Sequence, residues 1–149
     1  MSDAPLKINE EIAALIAGAY DSGNVLLVAA VDADARPLVS FRGSAAVFSD
    51  DQLSFWARNG EGGTVEAIRN NPNVALMYRA ATVPLLRFTG RARIAESGAE
   101  TDRAYGLAHV KEQAADAEKK GVAVIVDLDE IFGVFVREGG RDFVKLTRS

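Results

Sequence analysis

The sequence contains no cysteine and a single histidine. Disulfide bonds, thiolate nucleophiles and cysteine-ligated metals are therefore excluded, because each needs a cysteine sulfur. One histidine without cysteine also disfavours a transition-metal site. Asp127 and Asp129 carry the oxygen ligands that hard metals prefer, but we interpret them as the polar end of a strand. We therefore predict no metal.

An excess of positive charge and long hydrophobic runs are also lacking. The net charge is −4, which argues against binding a nucleic-acid backbone, since that needs a basic face. Apolar runs such as residues 25–31 are far shorter than the roughly 20 residues that a membrane helix needs. The first residues, MSDAPLKINEE, lack the basic-then-apolar order of a signal peptide. We expect no nucleic acid, no membrane and a cytoplasmic protein.

What is present is the composition of a globular protein. The chain has 149 residues, of which 48% are hydrophobic and 26% charged. This length favours one domain with a sizeable core. We therefore treat residues 1–149 as a single domain, without repeats or a linker.

The first half of the chain predicts a helix followed by strands in hairpins. Helical spacing of apolar residues predicts a helix over 6–20. Strands are predicted over 25–31, buried on both faces, over 38–48 as one strand or a bent pair, and over 53–58 after a turn at 49–52.

Alternation within the second of these strands divides its side chains between two faces. Ser40 and Arg42 share one face, and Val39 and Phe41 share the other. Gly43 indicates a bulge or a close approach to something flat.

A glycine-rich loop follows the strand over 53–58. The loop N-G-E-G-G occupies 59–63, helical spacing begins at Thr64, and Asn71-Pro72 ends the helix. Unpaired N–H groups at such a helix start suit a phosphate. An ordinary strand-to-helix connection explains the same pattern.

The second half adds further strands around one helical region. Strands are predicted over 73–79, 85–95, 122–128, 131–136 and 143–146, and a two-piece helix over 97–120 that Gly121 closes. Strands and helices do not alternate strictly, so a doubly wound parallel sheet is disfavoured. We predict a mainly β (α+β) fold: an antiparallel six- to seven-stranded barrel, closed or nearly closed, with flanking helices.

Several segments together resemble a known family. The segment 53–76, which ends in NNPNVAL, the later RFTGRARI, the opening GNVLLVAAVDADARPLVS and the closing VAVIVDLDEIFGVFV are similar to the pyridoxamine 5'-phosphate oxidase-like family of flavin-binding split barrels. The resemblance implies a split β-barrel that forms a homodimer. It also implies flavin mononucleotide (FMN) bound at the dimer interface.

The resemblance also implies cofactor-binding positions. Ser40, Phe41 and Arg42 would lie along the flavin. Trp56, Ala57 and Arg58 would line the neighbouring strand. Thr64 would meet the phosphate, and Arg87 would make a contact from the partner subunit.

The phosphate position departs from the family's pattern. Family members often have lysine or arginine where this chain has Gly63 and Thr64, and Glu61 and Glu66 lie nearby. Carboxylates oppose phosphate binding, so Arg42 and Arg58 must supply the positive charge. The sequence could also belong to a member that prefers a deazaflavin coenzyme, or to one that has lost cofactor binding.

Simpler roles stay open for each position. Arg42 and Arg58 could pair with Asp50, Asp51 or Glu61, and Thr64 could cap its helix. Trp56 and His109, the sole tryptophan and histidine, fit a core and a helix-surface position better than a stacking or catalytic role.

We predict an FMN-binding oxidoreductase acting on an unknown small organic substrate as a homodimer. The sequence assigns no catalytic residue, because the flavin would carry the hydride. The alternative is a non-catalytic flavin or deazaflavin carrier. A less favoured alternative is an interaction protein with a vacant pocket.

Overall fold

The computed structural model describes residues 2–148. Its strands and helices alternate irregularly along the chain. They are β1 (Ser2–Pro5), α1 (Glu10–Ala17), β2 (Leu26–Val31), β3 (Pro37–Arg42), β4 (Ala46–Ser49), β5 (Gln52–Ala57), α2 (Gly63–Asn70), β6 (Asn73–Arg79), β7 (Leu85–Ala95), α3 (Ala99–Leu107), α4 (Val110–Ala115), β8 (Val122–Arg137) and β9 (Gly140–Thr147).

All strands belong to one sheet that branches at β8. The main path runs β1-β9-β8-β7-β6-β2-β3, and β5 pairs with β8 and with β4. The first half of β8, residues 122–127, pairs with β5, whereas residues 130–137 pair with β9. Strand β7 runs along the other edge of β8. The pairing of β1 with β9 is parallel, and the other pairings are antiparallel.

The main core lies between the inner face of this sheet and helices α1 and α2. Leu53, Phe55, Leu76, Leu86 and Phe88 are fully buried in it. Burial alternates along β6 and β7, as expected for strands with one buried face. A second, smaller cluster packs beneath α3 and contains the buried residues Phe48, Trp56, Ala104, Ala123 and Ile125.

The structure confirms the fold class predicted from the sequence, a mainly antiparallel β fold with flanking helices. The strands number nine in the described residues, rather than six or seven, and the sheet is open. The extra strands arise because 38–48 is two strands and because Ser2–Pro5 pairs with β9. The two strands predicted over 122–136 are one continuous strand.

Three local predictions are wrong in detail. The first helix begins at Glu10, because the Asn9 side chain accepts the N–H of Ile12 at 2.9 Å and caps it. Strand β2 is buried on one face and half-buried on the other. The helix predicted to reach 120 ends at Ala115, and Gly121 is a buried residue immediately before β8 rather than the end of a helix.

Candidate functional site

Strand β3 presents different side chains on its two faces, as its alternation predicts. Arg42 lies opposite Leu26 and Ser40 opposite Val28, both of which belong to the buried core. Arg42 and Ser40 therefore face inward and are half-buried. Phe41 and Val39 face outward, with 71% and 60% of their surface exposed.

Arg42 links β3 to the start of α2. Its Nη2 donates to Thr64 Oγ1 at 2.8 Å, and its Nε donates to Ser40 Oγ at 3.1 Å. The guanidinium carbon lies 5.4 Å from the centre of the Phe55 ring, within cation–π range. These contacts hold the guanidinium at the N-terminus of a helix.

A second arginine lies close to this one. Burial lowers the pKa of Arg42 from its ordinary value, and the charge of Arg58 lowers it further, whereas the carboxylate of Glu112 opposes the shift. Two neighbouring guanidiniums repel each other, so an anion between them would be stabilised. We call Ser40, Arg42, Arg58 and Thr64 the cationic cluster.

The helix start beside the cluster presents backbone donors. Gly62 is the N-cap residue of α2 and has no side-chain cap. Thr64 lies inside the helix, and its hydroxyl accepts from Arg42, so it does not cap the helix as the sequence allowed. The first N–H groups of a helix have no intrahelical acceptor and carry partial positive charge. The helix therefore adds to the positive potential at the cluster.

One of the acidic partners that the sequence allowed for the two arginines pairs elsewhere, since Asp51 Oδ2 lies 3.3 Å from Arg148 Nη1. Glu112 of α4 is the carboxylate that acts on Arg42. It approaches closely at Gly43, where the Cβ of any larger residue would lie 2.3 Å from Glu112 Oε1 and 3.0 Å from the Tyr20 ring. The close approach predicted at Gly43 is thus confirmed, and the flat group is Tyr20.

The other predicted positions lie outside the cationic cluster. Trp56 is 4% exposed within the smaller core cluster, and its Nε1 donates to Asp116 Oδ2 at 2.8 Å. Its indole ring is therefore not available to stack on a flavin in this arrangement. Ala57 is buried in the main core.

Phe41 and Arg87 lie on the outer face of the sheet. They share one row of paired residues, in which Phe41 lies opposite Leu27, Leu27 opposite Met77, and Met77 opposite Arg87. Arg87 Nη2 contacts Glu130 Oε1 at 3.2 Å, and its guanidinium carbon lies 5.2 Å from the Phe132 ring centre. The structure thus divides the predicted residues between an inner cluster and an outer row.

Sequence reasoning missed an apolar cavity that adjoins the cluster. It has a volume of about 320 Å³ and lies between α1, the start of β2, the β3–β4 turn and the α3–α4 junction. Arg42 lines it, as do Tyr20 and His109. Gly43 was the one sequence signal near it, whereas Glu112 and His109 approach from helices distant in sequence.

The open, mainly antiparallel sheet with flanking helices is that of a split-barrel protein, and the cationic cluster lies at the start of α2. The family model for pyridoxamine 5'-phosphate oxidase matches residues 8–135 of the chain. The protein belongs to the pyridoxamine 5'-phosphate oxidase family. No curated protein sequence matches the chain.

Solved structures share the fold. HupZ of Group A Streptococcus is similar with a TM-score of 0.67 and 24% identity, over 91% of this chain and 98% of its own. A pyridoxamine 5'-phosphate oxidase-related, FMN-binding protein of Nostoc punctiforme gives a TM-score of 0.69 and 14% identity, over 92% and 87%. An F420 reductase gives 0.56 and 19%, over 72% and 88%. At these identities the likeness establishes the fold.

Among the helices of residues 2–148, none is both long and apolar enough to cross a membrane.

Proposed function

We propose that this protein binds FMN and acts as an oxidoreductase on a small organic substrate. The observation that carries the proposal is the hydrogen bond from Arg42 to Thr64 at the start of α2, with Arg58 beside it. In a chain of this family, such a cluster is a suitable site for the phosphate of FMN. The similar fold of an FMN-binding protein from Nostoc punctiforme supports the choice of cofactor.

The residues present fit a phosphate. Two guanidiniums that repel each other would be neutralised by a dianion. The Thr64 hydroxyl and the first N–H groups of α2 would supply further donors. When bound, the flavin supplies the hydride chemistry. The chain's own part is to hold the phosphate and fix the orientation of the ring against strand β3.

Replacing either arginine tests this assignment. Arg42→Ala and Arg58→Ala each remove a charge-assisted hydrogen bond to phosphate, worth about 1.5–3 kcal/mol. FMN affinity should fall roughly 10- to 150-fold, measured by quenching of FMN fluorescence during titration. Arg79→Ala is the matched control, because Arg79 is exposed and contacts the Ala81 carbonyl.

Riboflavin, which lacks the phosphate, separates the phosphate contact from contacts with the rest of the flavin. The affinity for riboflavin should be similar in the wild type, Arg42→Ala and Arg58→Ala. If FMN affinity is unchanged in both variants, or if riboflavin loses as much as FMN, the cluster does not bind the phosphate.

A second candidate is a non-catalytic carrier of a flavin or of a deazaflavin. It is favoured by the carboxylate of Glu112 near Arg42 and by Gly63 at a position where the family often has a cation. The similar fold of an F420 reductase supports the deazaflavin option. Titration with FMN and F420 separately, then reduction and reoxidation by candidate acceptors, distinguishes the candidates. Turnover supports an enzyme, whereas an inert bound cofactor supports a carrier.

We further propose that the protein is a homodimer that pairs through the outer face of the sheet. Phe41, Val39 and Phe143 on this face are 71%, 60% and 43% exposed. Neighbouring strands are about 4.8 Å apart, so the three strand steps from Phe41 to Arg87 span about 15 Å of one surface. A partner covering Phe41 would therefore also reach Arg87, as the family resemblance implies.

Light scattering during gel filtration tests the dimer. Phe41→Glu places a charge at the centre of the proposed interface and should shift the protein from dimer to monomer. Val110→Glu is the matched control, because Val110 is 69% exposed on α4, away from this face. A monomeric wild type, or a Phe41→Glu variant that stays dimeric, would contradict the proposal.

A further inference from the structure

The apolar cavity beside the cationic cluster has the size and lining of a ligand site. Its volume is about 320 Å³, within the range of small-molecule pockets. Aliphatic side chains of α1, β2 and the β3–β4 segment form most of its wall. They are Ala13, Ile16, Ala17, Ala19, Val25, Leu26, Ala45, Ala46 and Val47. An apolar space of this kind is favourable for apolar atoms and costly for water.

An aromatic pair forms one side of the cavity. The rings of Tyr20 and His109 are stacked, with centroids 3.9 Å apart and planes 15° apart. Both ring nitrogens of His109 are engaged: Nδ1 accepts the Lys111 N–H at 3.1 Å, and Nε2 lies 2.8 Å from Asp21 Oδ1. Because Nδ1 is an acceptor, Nε2 carries the proton. His109 therefore offers its ring surface to the cavity rather than a lone pair.

Charges of both signs lie near the cavity. Arg42 lines it, with Arg58 close by, and Glu112 approaches at Gly43. Asp21 lies against His109 on the other side. The effects of these opposite charges on an ion inside the cavity partly cancel, so they do not offset the cost of desolvating a charge against the aliphatic wall. A neutral molecule avoids that cost.

We propose that this cavity binds a neutral, two-ring aromatic molecule. An apolar cavity of about 150 Å³ binds benzene, so about twice that volume accommodates two fused rings. The Tyr20–His109 pair provides aromatic surface on which a planar molecule packs at offset or edge-to-face geometry. The cavity shares Arg42 with the proposed phosphate contact, but the inference does not depend on the proposed flavin function.

The sole histidine makes the site directly observable. Titration of the full-length protein with 2-naphthol, followed by the His109 ring-proton resonances, should give saturable shifts from ring currents. Ala13→Phe and Ala17→Phe fill the cavity from α1, and each should weaken 2-naphthol binding at least tenfold. Ala14→Phe is the matched control on the same helix, because Ala14 is exposed and does not line this cavity. It should bind as the wild type does.

Equilibrium unfolding verifies that each variant is folded before its affinity is used. Two variants are made because either one alone could overpack the helix. The anion 2-naphthoate should bind at least tenfold more weakly than 2-naphthol, because its carboxylate would lose hydration against the aliphatic wall.

Four results would overturn the inference. The first is the absence of saturable shifts in the wild type, and the second is equal 2-naphthol affinity in Ala13→Phe, Ala17→Phe and Ala14→Phe. The third is competitive displacement of 2-naphthol by FMN, which would assign the cavity to the flavin ring. The fourth is binding of 2-naphthoate as tight as that of 2-naphthol, which would refute the neutral character of the ligand.

Discussion

Removing the carboxylate of Asp116 should destabilise the protein more than its place in a surface loop indicates. Asp116 follows α4, and its oxygens accept from three donors: Trp56 Nε1 at 2.8 Å, the Gly121 N–H at 2.8 Å and the Lys120 N–H at 3.0 Å. Trp56 and Gly121 are buried, whereas Lys120 is exposed. Asp116→Ala leaves the two buried donors without an acceptor.

The magnitude follows from those two donors. Each buried donor left unpaired costs about 1–3 kcal/mol. If no water replaced the carboxylate, the loss of stability would therefore be about 2–6 kcal/mol. Asp116 itself is half-buried, and water can reach part of the space, so we expect a loss near 2 kcal/mol. That is a large fraction of the roughly 5–15 kcal/mol that stabilises a typical domain.

Urea unfolding followed by tryptophan fluorescence measures the loss, because Trp56 is the sole tryptophan. Glu118→Ala is the matched control in the same loop. Glu118 pairs with Lys120 at 3.0 Å, but both side chains are more than 70% exposed, and such pairs contribute little. If Asp116→Ala loses no more stability than Glu118→Ala, the buried donors do not depend on the carboxylate and the reasoning is refuted.

Two further predictions concern the same loop and the sheet. Burial acts to raise the pKa of Asp116, but hydrogen bonds from Trp56, Lys120 and Gly121 outweigh it and lower the pKa below its ordinary value. The stabilisation that the Asp116 carboxylate provides is thus complete above the unfolded pKa of about 3.9 and disappears as pH falls through the folded pKa. Between pH 6 and pH 2, the free energy of unfolding should therefore depend less on pH in Asp116→Asn than in the wild type. An equal pH dependence in the two proteins would contradict this prediction. Gly90→Ala places a Cβ 2.2 Å from the Asp127 carbonyl oxygen and should lower the stability measured by thermal unfolding by about 1–3 kcal/mol. Gly106→Ala, in a helix with open space around the residue, should raise the stability by up to about 1 kcal/mol. A Gly90→Ala variant more stable than Gly106→Ala would refute the steric argument.

Local alternation predicted the part of the site that lies on one strand. The period of two along β3 separated Arg42 from Phe41, and the structure places them on opposite faces. That result follows from strand geometry alone. The residues of other segments that contact Arg42 depend on how the strands pair in the sheet. Thr64 was predicted near Arg42 through the family resemblance.

Hydrogen bonds of the Asp116 side chain explain two of the remaining differences. Trp56 shares the parity of Arg58, but Asp116, 60 residues later, binds its Nε1 beneath α3. The alanine-rich segment to 120 has helical composition. Its helix nevertheless ends at Ala115, because the Asp116 side chain binds the backbone N–H groups of Lys120 and Gly121. The first contact joins segments distant in sequence, whereas the second is a local bond between a side chain and the backbone that competes with the helix.

The extra strand at Ser2–Pro5 has a similar explanation. Its sequence, SDAP, lacks the β-branched and aromatic residues that favour strands. It becomes a strand by pairing in parallel with β9, about 140 residues later. The backbone of a neighbouring edge can recruit such a segment whatever its intrinsic propensity.

The branching strand β8 also has a consequence for how the chain folds during synthesis. It pairs with three others, and its contact with β5 joins Gln52 to Asp127, 75 residues apart. Strand pairings across such long separations form slowly, because the entropic cost of closing the loop comes before the stabilising contacts form. Until residues 122–137 leave the ribosome, β5 and β7 expose the edges that β8 will cover. The nascent chain should therefore be prone to aggregation through these edges until this late segment emerges.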